Sequence, residues 1–271
     1  MSRTWRLVLN DAADGATNMA VDEAIVESVA AGEAPPTLRL YAWDPACLSL
    51  GHAQPFGVVD TAALAALGWD VVRRPTGGRA LLHVDELTYA VIAPGSLPDL
   101  AGGILPSYRR LSLGLVAALR RLGVEADAPV GASPGDGDRS NPVCFEVPSA
   151  YEITVGGKKL IGSAQLRRRN MVLQHGSLPL VGDITRVLRV LRFRDPAERE
   201  AAAHRLRHHA TTLESVLGRP VPWQAAAAAV RAGFAEGLGW DLAEGGLTEA
   251  ERSLAARLAH ERYRPVAAGA V

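Results

Sequence analysis

The segment YEITVGGKKLIGSAQLRRRNMVLQHGSLPL, residues 151–180, gives the clearest indication of the fold. Gly156 and Gly157 separate two strand-like runs, and a two-residue β-hairpin turn needs residues that tolerate positive φ. The run MVLQHGSLPL, residues 171–180, is typical of a third antiparallel strand. The segment therefore predicts antiparallel pairing of three consecutive strands.

Towards the N-terminus, the pattern predicts strands interrupted by single helices. Residues 5–9 are typical of a strand. Asp14 to Ala31 is predicted to be a helix, since Val21, Ile25 and Val29 repeat every four residues and Gly32 follows. Further strands are predicted at residues 37–43, 47–51, 69–74 and 87–94, and further helices at residues 60–67 and from Ser107 to Gly123.

Beyond residue 182 the pattern changes to helices, and the last of them begins with a capping box formed by Thr248 and Glu251. We therefore predict an α/β (α+β) fold with mixed, largely antiparallel sheets flanked by helices and with a helical C-terminal part. The other predicted helices lie at residues 182–191, 196–208, 213–217 and 223–238.

The composition argues against several classes of protein. Lys+Arg and Asp+Glu balance at 29 each, which differs from the basic bias of a dedicated nucleic-acid binder. The two cysteines form neither a disulfide framework nor a zinc pattern, so we expect free thiols in a reducing compartment and no metal. The N-terminus lacks an apolar signal core and no apolar stretch approaches twenty residues. We expect a cytoplasmic monomer with no nucleic-acid or membrane partner.

Two glycine-containing stretches are candidates for a site. In RRPTGGRALLH, residues 73–83, adjacent glycines let the backbone approach a ligand, although a plain hairpin turn with solvated arginines is an alternative interpretation. In GGKKLIGSAQ, residues 156–165, strand alternation keeps Lys158 and Lys159 from facing one pocket together. The spacing alone leaves open which lysine faces inward, or whether both are solvated.

The third candidate is Cys144 in NPVCFEVPSAYE, residues 141–152, which follows the Gly- and Pro-rich loop 131–142. A nearby ammonium group would lower the pKa of this thiol and make it nucleophilic, whereas an incidental buried thiol is the alternative. Cys47 fits the incidental interpretation better. His83 or His175 could act as a base to Cys144, or be an ordinary hydrogen-bonded core histidine.

Together these stretches resemble the lipoate–protein ligase and octanoyltransferase family, which has a biotin-ligase-like catalytic fold. RRPTGGRALLH resembles the family's acyl-binding loop, GGKKLIGSAQLR its lysine strand and LQHGSLPL the strand that follows. NMAVDEA, HATTLESVLG and LTEAERSLAARLAHERY are also similar to family segments, so the resemblance covers nearly the whole chain. It implies a catalytic domain over residues 1–245, with residues 246–271 as a C-terminal helical extension of the same unit.

The resemblance is strongest to the cysteine-dependent octanoyltransferases, in which the motif CFxxPSxYE carries the nucleophile. It implies that Cys144 is the nucleophile and Lys159 the invariant site lysine. It also implies a set of substrate-binding residues: Arg74, Thr76, Gly77, Gly78, Arg79, His83, Gly162, Ser163, Ala164 and His175.

The implied reaction moves octanoyl from acyl carrier protein, through a thioester on Cys144, to a lysine of a lipoyl domain or of the glycine-cleavage H protein. It needs no cofactor beyond the donor's phosphopantetheine. Three alternatives stay open: an ATP-dependent lipoate ligase, an amidotransferase that takes octanoyl from H protein, and a non-catalytic acyl-binding module. Arg79, where the ligases usually have a third glycine, argues against the first. The basic run Arg167–Arg169 is a candidate docking surface for acidic carriers.

Overall fold

The hairpin centred on Gly156 and Gly157 is present in the computed structural model, which describes residues 4–127 and 153–264. Both glycines have positive φ, 56° and 75°, as the two-residue turn requires. The strands on either side pair antiparallel, and the predicted third strand pairs antiparallel with the second. The sequence prediction for this segment is confirmed.

Most of the remaining elements follow the predicted order of strands and helices. The strands are β1 (Thr4–Leu9), β2 (Thr37–Tyr41), β3 (Cys47–Leu50), β4 (Asp70–Arg73), β5 (Leu81–His83), β6 (Glu86–Pro94), β7 (Ile153–Val155), β8 (Lys158–Arg168), β9 (Met171–Pro179) and β10 (Asp241–Glu244). The α-helices are α1 (Gly15–Ala30), α2 (Thr61–Leu67), α3 (Ile104–Arg121), α4 (Pro196–His209), α5 (Leu213–Leu217), α6 (Trp223–Leu238) and α7 (Glu249–Leu258).

The strands form two mixed sheets. The larger sheet has the order β10-β1-β2-β6-β9-β8-β7, in which β10 and β2 run parallel to β1 and the other neighbours pair antiparallel. The smaller sheet has the order β4-β3-β5, with β4 parallel and β5 antiparallel to β3. The predicted fold class of mixed, largely antiparallel sheets is confirmed.

Helices cover both faces of the larger sheet. Tyr89 of β6 packs with Phe234 of α6 on one face. The next residue, Ala90, packs with Ile25 of α1 and Ala255 of α7 on the other. Successive strand residues point to opposite faces, so β6 is buried on both sides, and the smaller sheet has an apolar cluster of its own.

Two details of the C-terminal part differ from the prediction. Residues 241–244 form β10 in a part that was predicted to contain helices alone. This strand is short and largely exposed, and it exists because it pairs with β1, a partner that local sequence patterns cannot reveal. The predicted helix at 182–191 is a 3-10 helix over Ile184–Val190, capped by the side chain of Asp183.

The last helix begins as predicted, with Thr248 and Glu251 forming a capping box. It continues into a π-helical turn, Ala259–Tyr263, which shares an apolar cluster with α1. The division at residues 245 and 246 stays a prediction. Within residues 4–127 and 153–264, none of the helices combines the length and the apolar character needed to span a bilayer.

Candidate functional site

A pocket opens between the two sheets and brings predicted site residues together with residues that the sequence did not single out. Its open space, mouth included, is about 500 Å³. The predicted residues that line it are Arg74, Gly78, His83, Gly162, Ser163, Ala164 and His175. The additional lining residues are Met19, Tyr41, Trp43, Ser49, Leu81, Thr88, Gly176 and Ser177.

Arg74 organises the glycine loop from inside. Its guanidinium donates to the carbonyl oxygens of Gly77 at 2.9 Å and Arg79 at 2.7 Å, and to both the carbonyl and the Oγ of Ser49. The side chain is buried. The loop is therefore held in shape by an arginine that binds its backbone, whereas Gly77 and Arg79 do not line the pocket.

The loop also depends on a close backbone approach. Gly78 has a φ of 92°, in the region that favours glycine. A Cβ on Gly51 would lie 1.9 Å from the carbonyl oxygen of Gly78. The chain after β3 and the loop can thus touch only because position 51 has no side chain.

His175 connects the loop to a buried ionic cluster. Its Nε2 lies 2.7 Å from Thr76 Oγ1, and its Nδ1 lies 3.4 Å from Asp22 Oδ2. Asp22 also accepts from Arg39 at 2.7 Å and from the Tyr41 hydroxyl at 3.0 Å. Thr76 is fully buried, so it acts on the pocket through His175.

The cluster fixes the charge states of its members. Burial alone would raise the pKa of Asp22, but Arg39 and His175 outweigh burial and hold that pKa below its usual value. Burial lowers the pKa of His175 and outweighs the opposing effect of Asp22. A neutral His175 accepts at Nε2 from the Thr76 hydroxyl while Nδ1–H points to Asp22.

His83 belongs to a second hydrogen-bond network at the pocket. Its Nε2 lies 2.7 Å from Ser49 Oγ and its Nδ1 2.7 Å from Glu86 Oε1. The ring stacks on Trp43, with centroids 4.0 Å apart. Glu86 is also buried, and it accepts from the hydroxyls of Thr88 and Ser177.

On β8, Gly162, Ser163 and Ala164 line the pocket across from Gly176 of β9. Ser163 Oγ lies 2.7 Å from the Tyr89 hydroxyl. Burial raises the pKa of Tyr89 to about 12, so the phenol stays protonated at neutral pH. A Cβ on Gly176 would meet Ser163 Oγ at 2.5 Å. This wall is therefore built from residues too small to fill the pocket.

The two adjacent lysines are placed differently. Lys159 is 4% exposed, whereas Lys158 is exposed and donates from Nζ to the carbonyl oxygen of Arg207 at 2.9 Å. The backbone of Lys159 forms bridges to Thr154 and Ala210. Lys159 is therefore the inward member of the pair, although it is not among the residues that line the described pocket.

The structure describes one of the two cysteines, Cys47. Cys144, with Phe145, Pro148, Ser149, Tyr151 and Glu152 of its motif, lies outside the described residues, as does the loop 131–142. Cys47 is fully buried, and burial raises the pKa of its thiol well above the usual value, with a smaller contribution from Asp70. A thiol in this state is inert, which agrees with the interpretation of Cys47 as a packing residue.

Several of the site residues missed at the level of sequence come from two segments. Met19 and Asp22 lie in NMAVDEA, and Tyr41 and Trp43 lie in TLRLYAW. Asp22 could have been identified from the sequence, because a carboxylate on the apolar face of α1 is expected to be buried and a buried carboxylate needs a partner. Ser49 had no such signal.

Comparisons with known proteins agree with this architecture. A family model described as the lipoyl protein ligase A/B catalytic domain matches residues 14–235. The octanoyltransferase LipM of Kyrpidia tusciae is 45% identical over 263 residues, 94% of this chain and 95% of its own. The octanoyltransferase LipM of Symbiobacterium thermophilum is 45% identical over 273 residues, 97% of each chain.

Solved structures show the same fold. A bi-partite lipoate protein ligase from Thermoplasma acidophilum superposes with a TM-score of 0.78 at 24% identity, covering 100% of this chain and 98% of its own. A lipoate-protein ligase A bound with ATP gives a TM-score of 0.76 at 28% identity and 95% coverage of both chains.

Proposed function

Because the chain belongs to the lipoyl protein ligase A/B catalytic domain family, we propose a reaction route for its pocket. The chain is an octanoyltransferase of lipoate biosynthesis, the activity for which relatives sharing 36–45% of its residues are named. In the proposed route, Cys144 accepts octanoyl from the phosphopantetheine thioester of acyl carrier protein. The acyl-enzyme then transfers octanoyl to a lysine of a lipoyl domain or of the glycine-cleavage H protein.

The observation that carries this proposal is the inward placement of Lys159 beside Lys158. An ammonium group at this position can hydrogen-bond the thioester carbonyl, stabilise the oxyanion that forms there and favour the thiolate form of Cys144. The apolar lining from Met19, Tyr41 and Leu81 suits a saturated acyl chain. Arg74 and Gly78 of the glycine loop shape the wall along which that chain lies.

The route needs neither ATP nor a metal. Exchange between a thioester and a thiol is nearly isoenergetic, and the final amide bond forms downhill, so no adenylate is required. Arg79, in place of the third glycine usual in the ligases, supports this choice. We further propose that the protein acts as a monomer in the cytoplasm.

Intact-protein mass spectrometry tests the route. The purified protein is mixed with octanoyl acyl carrier protein without ATP, and an apo lipoyl domain is then added. We expect a gain of one octanoyl group that is labile to hydroxylamine, maps to Cys144 and is lost to the acceptor. If no adduct forms and the acceptor is modified only with free acid and ATP, the route is wrong.

The second cysteine provides a matched control. Cys144→Ser should abolish the adduct and reduce transfer by at least about 1,000-fold, as expected when a nucleophile of this kind is removed. Cys47→Ala should keep the adduct, because that thiol is buried and inert. A Cys144→Ser protein that transferred octanoyl at the original rate would rule out the covalent intermediate.

A further inference from the structure

A second cavity follows the pocket along the β8–β9 hairpin. Its open space, mouth included, is about 560 Å³. The apolar part of its lining comes from Val26 of α1, Leu166 of β8, and Met171 and Leu173 of β9. Met171 and Leu173 are buried, whereas several of the charged residues in the lining, Arg168 among them, are exposed. The cavity therefore combines buried apolar surface with a solvent-exposed charged part.

The register of β8 and β9 shows how the two cavities are arranged. Two alternate pairs of this ladder line the pocket: Gly162 with Ser177, and Ala164 with His175. The next two alternate pairs line the second cavity: Leu166 with Leu173, and Arg168 with Met171. Alternate residues of a strand share one face of the sheet. The pocket and the second cavity therefore lie end to end on the same face.

Three elements change from one cavity to the other at the same level. The change falls between Met19 and Glu23 in α1, between Gly78 and Pro75 in the glycine loop, and between His175 and Leu173 in β9. Asp22, Thr76 and His175 lie within or at the edge of these three intervals. The boundary between the two cavities is therefore formed by these three residues.

Hydrogen bonds join the three residues into a partition. His175 Nε2 lies 2.7 Å from Thr76 Oγ1, and His175 Nδ1 lies 3.4 Å from Asp22 Oδ2. Asp22 is held in turn by Arg39 at 2.7 Å and by the Tyr41 hydroxyl at 3.0 Å. Asp22 and Thr76 are fully buried. A chain that pushed through the partition would leave buried polar groups without partners, which costs free energy.

The distance to the partition matches the length of an octanoyl group. In the proposed route the acyl carbonyl is bound by Lys159, which precedes Gly162 on β8, so the methyl end points along the strand towards Ala164 and the glycine loop. Strand residues advance about 3.4 Å each, which places Ala164 about 7 Å and Leu166 about 14 Å beyond Gly162.

An extended acyl chain advances about 1.3 Å per bond, so octanoyl spans about 9 Å and dodecanoyl about 14 Å. Octanoyl therefore ends close to the pair Ala164 and His175, at the partition. The four additional carbons of dodecanoyl would have to cross the partition and enter the second cavity.

Resting on the proposed function, we propose that the partition of Asp22, His175 and Thr76 sets the length of the acyl chain that the protein transfers. The second cavity is the space that a longer chain would occupy if the partition were opened. The three residues act on substrate choice and take no part in the chemical step. Such a role differs from general support of the fold because it changes the ratio of two rates measured on the same protein.

The test compares two donors with the full-length protein. Acyl carrier protein carrying octanoyl or dodecanoyl is mixed with the enzyme and an apo lipoyl domain, and the mass of the lipoyl domain gives kcat/KM for each chain. The wild type should prefer octanoyl by at least about 100-fold. His175→Ala removes the centre of the partition and should raise the dodecanoyl-to-octanoyl ratio by at least about tenfold. His175→Gln should keep the wild-type ratio, because its amide fills the gap and can still bind Thr76.

Val26 provides the matched controls, since it lines the second cavity and not the pocket. Val26→Ala enlarges the second cavity while the partition stays closed, so the ratio should not change. Val26→Phe fills the second cavity. Added to His175→Ala, it should reverse the gain in dodecanoyl transfer, with octanoyl transfer by the same double variant as the internal reference.

Several results would overturn the proposal. It is wrong if the wild type transfers both chains equally well, or if Val26→Phe leaves the gain in dodecanoyl transfer intact. Thr76→Ala opens the other end of the partition and is measured in the same way, in case His175→Ala loses all activity. If neither variant raises the ratio, or if both lose transfer of both chains, the partition supports the fold and does not select the chain. Failure of the wild type to transfer octanoyl would overturn the proposed function instead, and this is measured first.

Discussion

Two neighbouring lysines at the start of β8 offer a direct test of the site at the level of single residues. Lys159→Ala should reduce octanoyl transfer by about 100- to 1,000-fold, the usual effect of removing one donor to a developing oxyanion. Lys158→Ala removes an exposed side chain of the same type and should leave the rate and the stability nearly unchanged. The measurement is the rate of lipoyl-domain octanoylation for each variant. Equal losses in both variants would contradict the assignment of Lys159.

At the level of single residues, the sequence predicted which residues belong to the site better than it predicted which residues bind one another. Strand alternation separated Lys158 from Lys159, and alignment with family motifs selected the lysine that is buried. The same motifs named His83, His175 and Thr76, which binds His175, but not their other partners. Ser49, Asp22 and Glu86 lie far along the chain from one or more of the groups they bind, and such pairings depend on how the strands come together.

At the scale of elements, the contact between the end of β3 and the glycine loop should control activity. Gly51→Ala would place a methyl group against the Gly78 carbonyl and displace the loop. We expect a loss of about 100-fold in transfer, since a misplacement of about 1 Å can cost that much. Steady-state kinetics with octanoyl acyl carrier protein provide the measurement.

Gly57→Ala serves as the matched control for this prediction. A Cβ on Gly57 meets nothing within 4 Å, and the residue has no positive φ. This variant should keep the wild-type rate. A fully active Gly51→Ala protein would show that the loop can shift without harm.

Element boundaries were predictable wherever the signal is local. The glycine pair of the β7–β8 hairpin, the capping box of α7 and the apolar repeat of α1 all act within a few residues, and each prediction is confirmed. β10 was missed because its strand partner in the described part of the chain is β1, 237 residues away at the pair Thr4 and Asp241. Sequence periodicity also could not show that residues 184–190 form a 3-10 helix, because seven residues make only about two turns.

At the scale of the whole molecule, a buried ion pair ties the first strand to the last helix. Arg6 donates to both carboxylate oxygens of Glu251, at 2.8 and 2.6 Å, and both side chains are nearly inaccessible. Glu251→Ala should lower the free energy of unfolding by about 3–5 kcal/mol, because it leaves a buried guanidinium without its partner. Urea denaturation measures the change.

The same helix supplies the control for that prediction. Glu249 forms an exposed pair with Arg252, so Glu249→Ala should change the unfolding free energy by less than about 1 kcal/mol. A similar midpoint for Glu251→Ala and Glu249→Ala would show that the buried pair adds little to stability.

The prediction of a docking surface over Arg167–Arg169 needs revision at one position. The guanidinium of Arg167 donates to the carbonyl oxygens of Leu100 and Gly103 and to Gln165. It therefore anchors the loop before α3 instead of facing a carrier. Arg168 and Arg169 stay candidates for contact with acidic carrier proteins, and charge reversal at these two positions should raise KM for acyl carrier protein.

The position of β1 has a consequence for folding during translation. The ribosome releases the N-terminal strand first, and β2, which pairs with one side of it, follows within a few dozen residues. The other side stays open until residues 241–244 have been synthesised. Until then the nascent chain presents an unpaired strand edge, which can join a neighbouring chain on the same polysome. The exposed strand β10 covers this edge of β1 only after β1 to β9 have been synthesised.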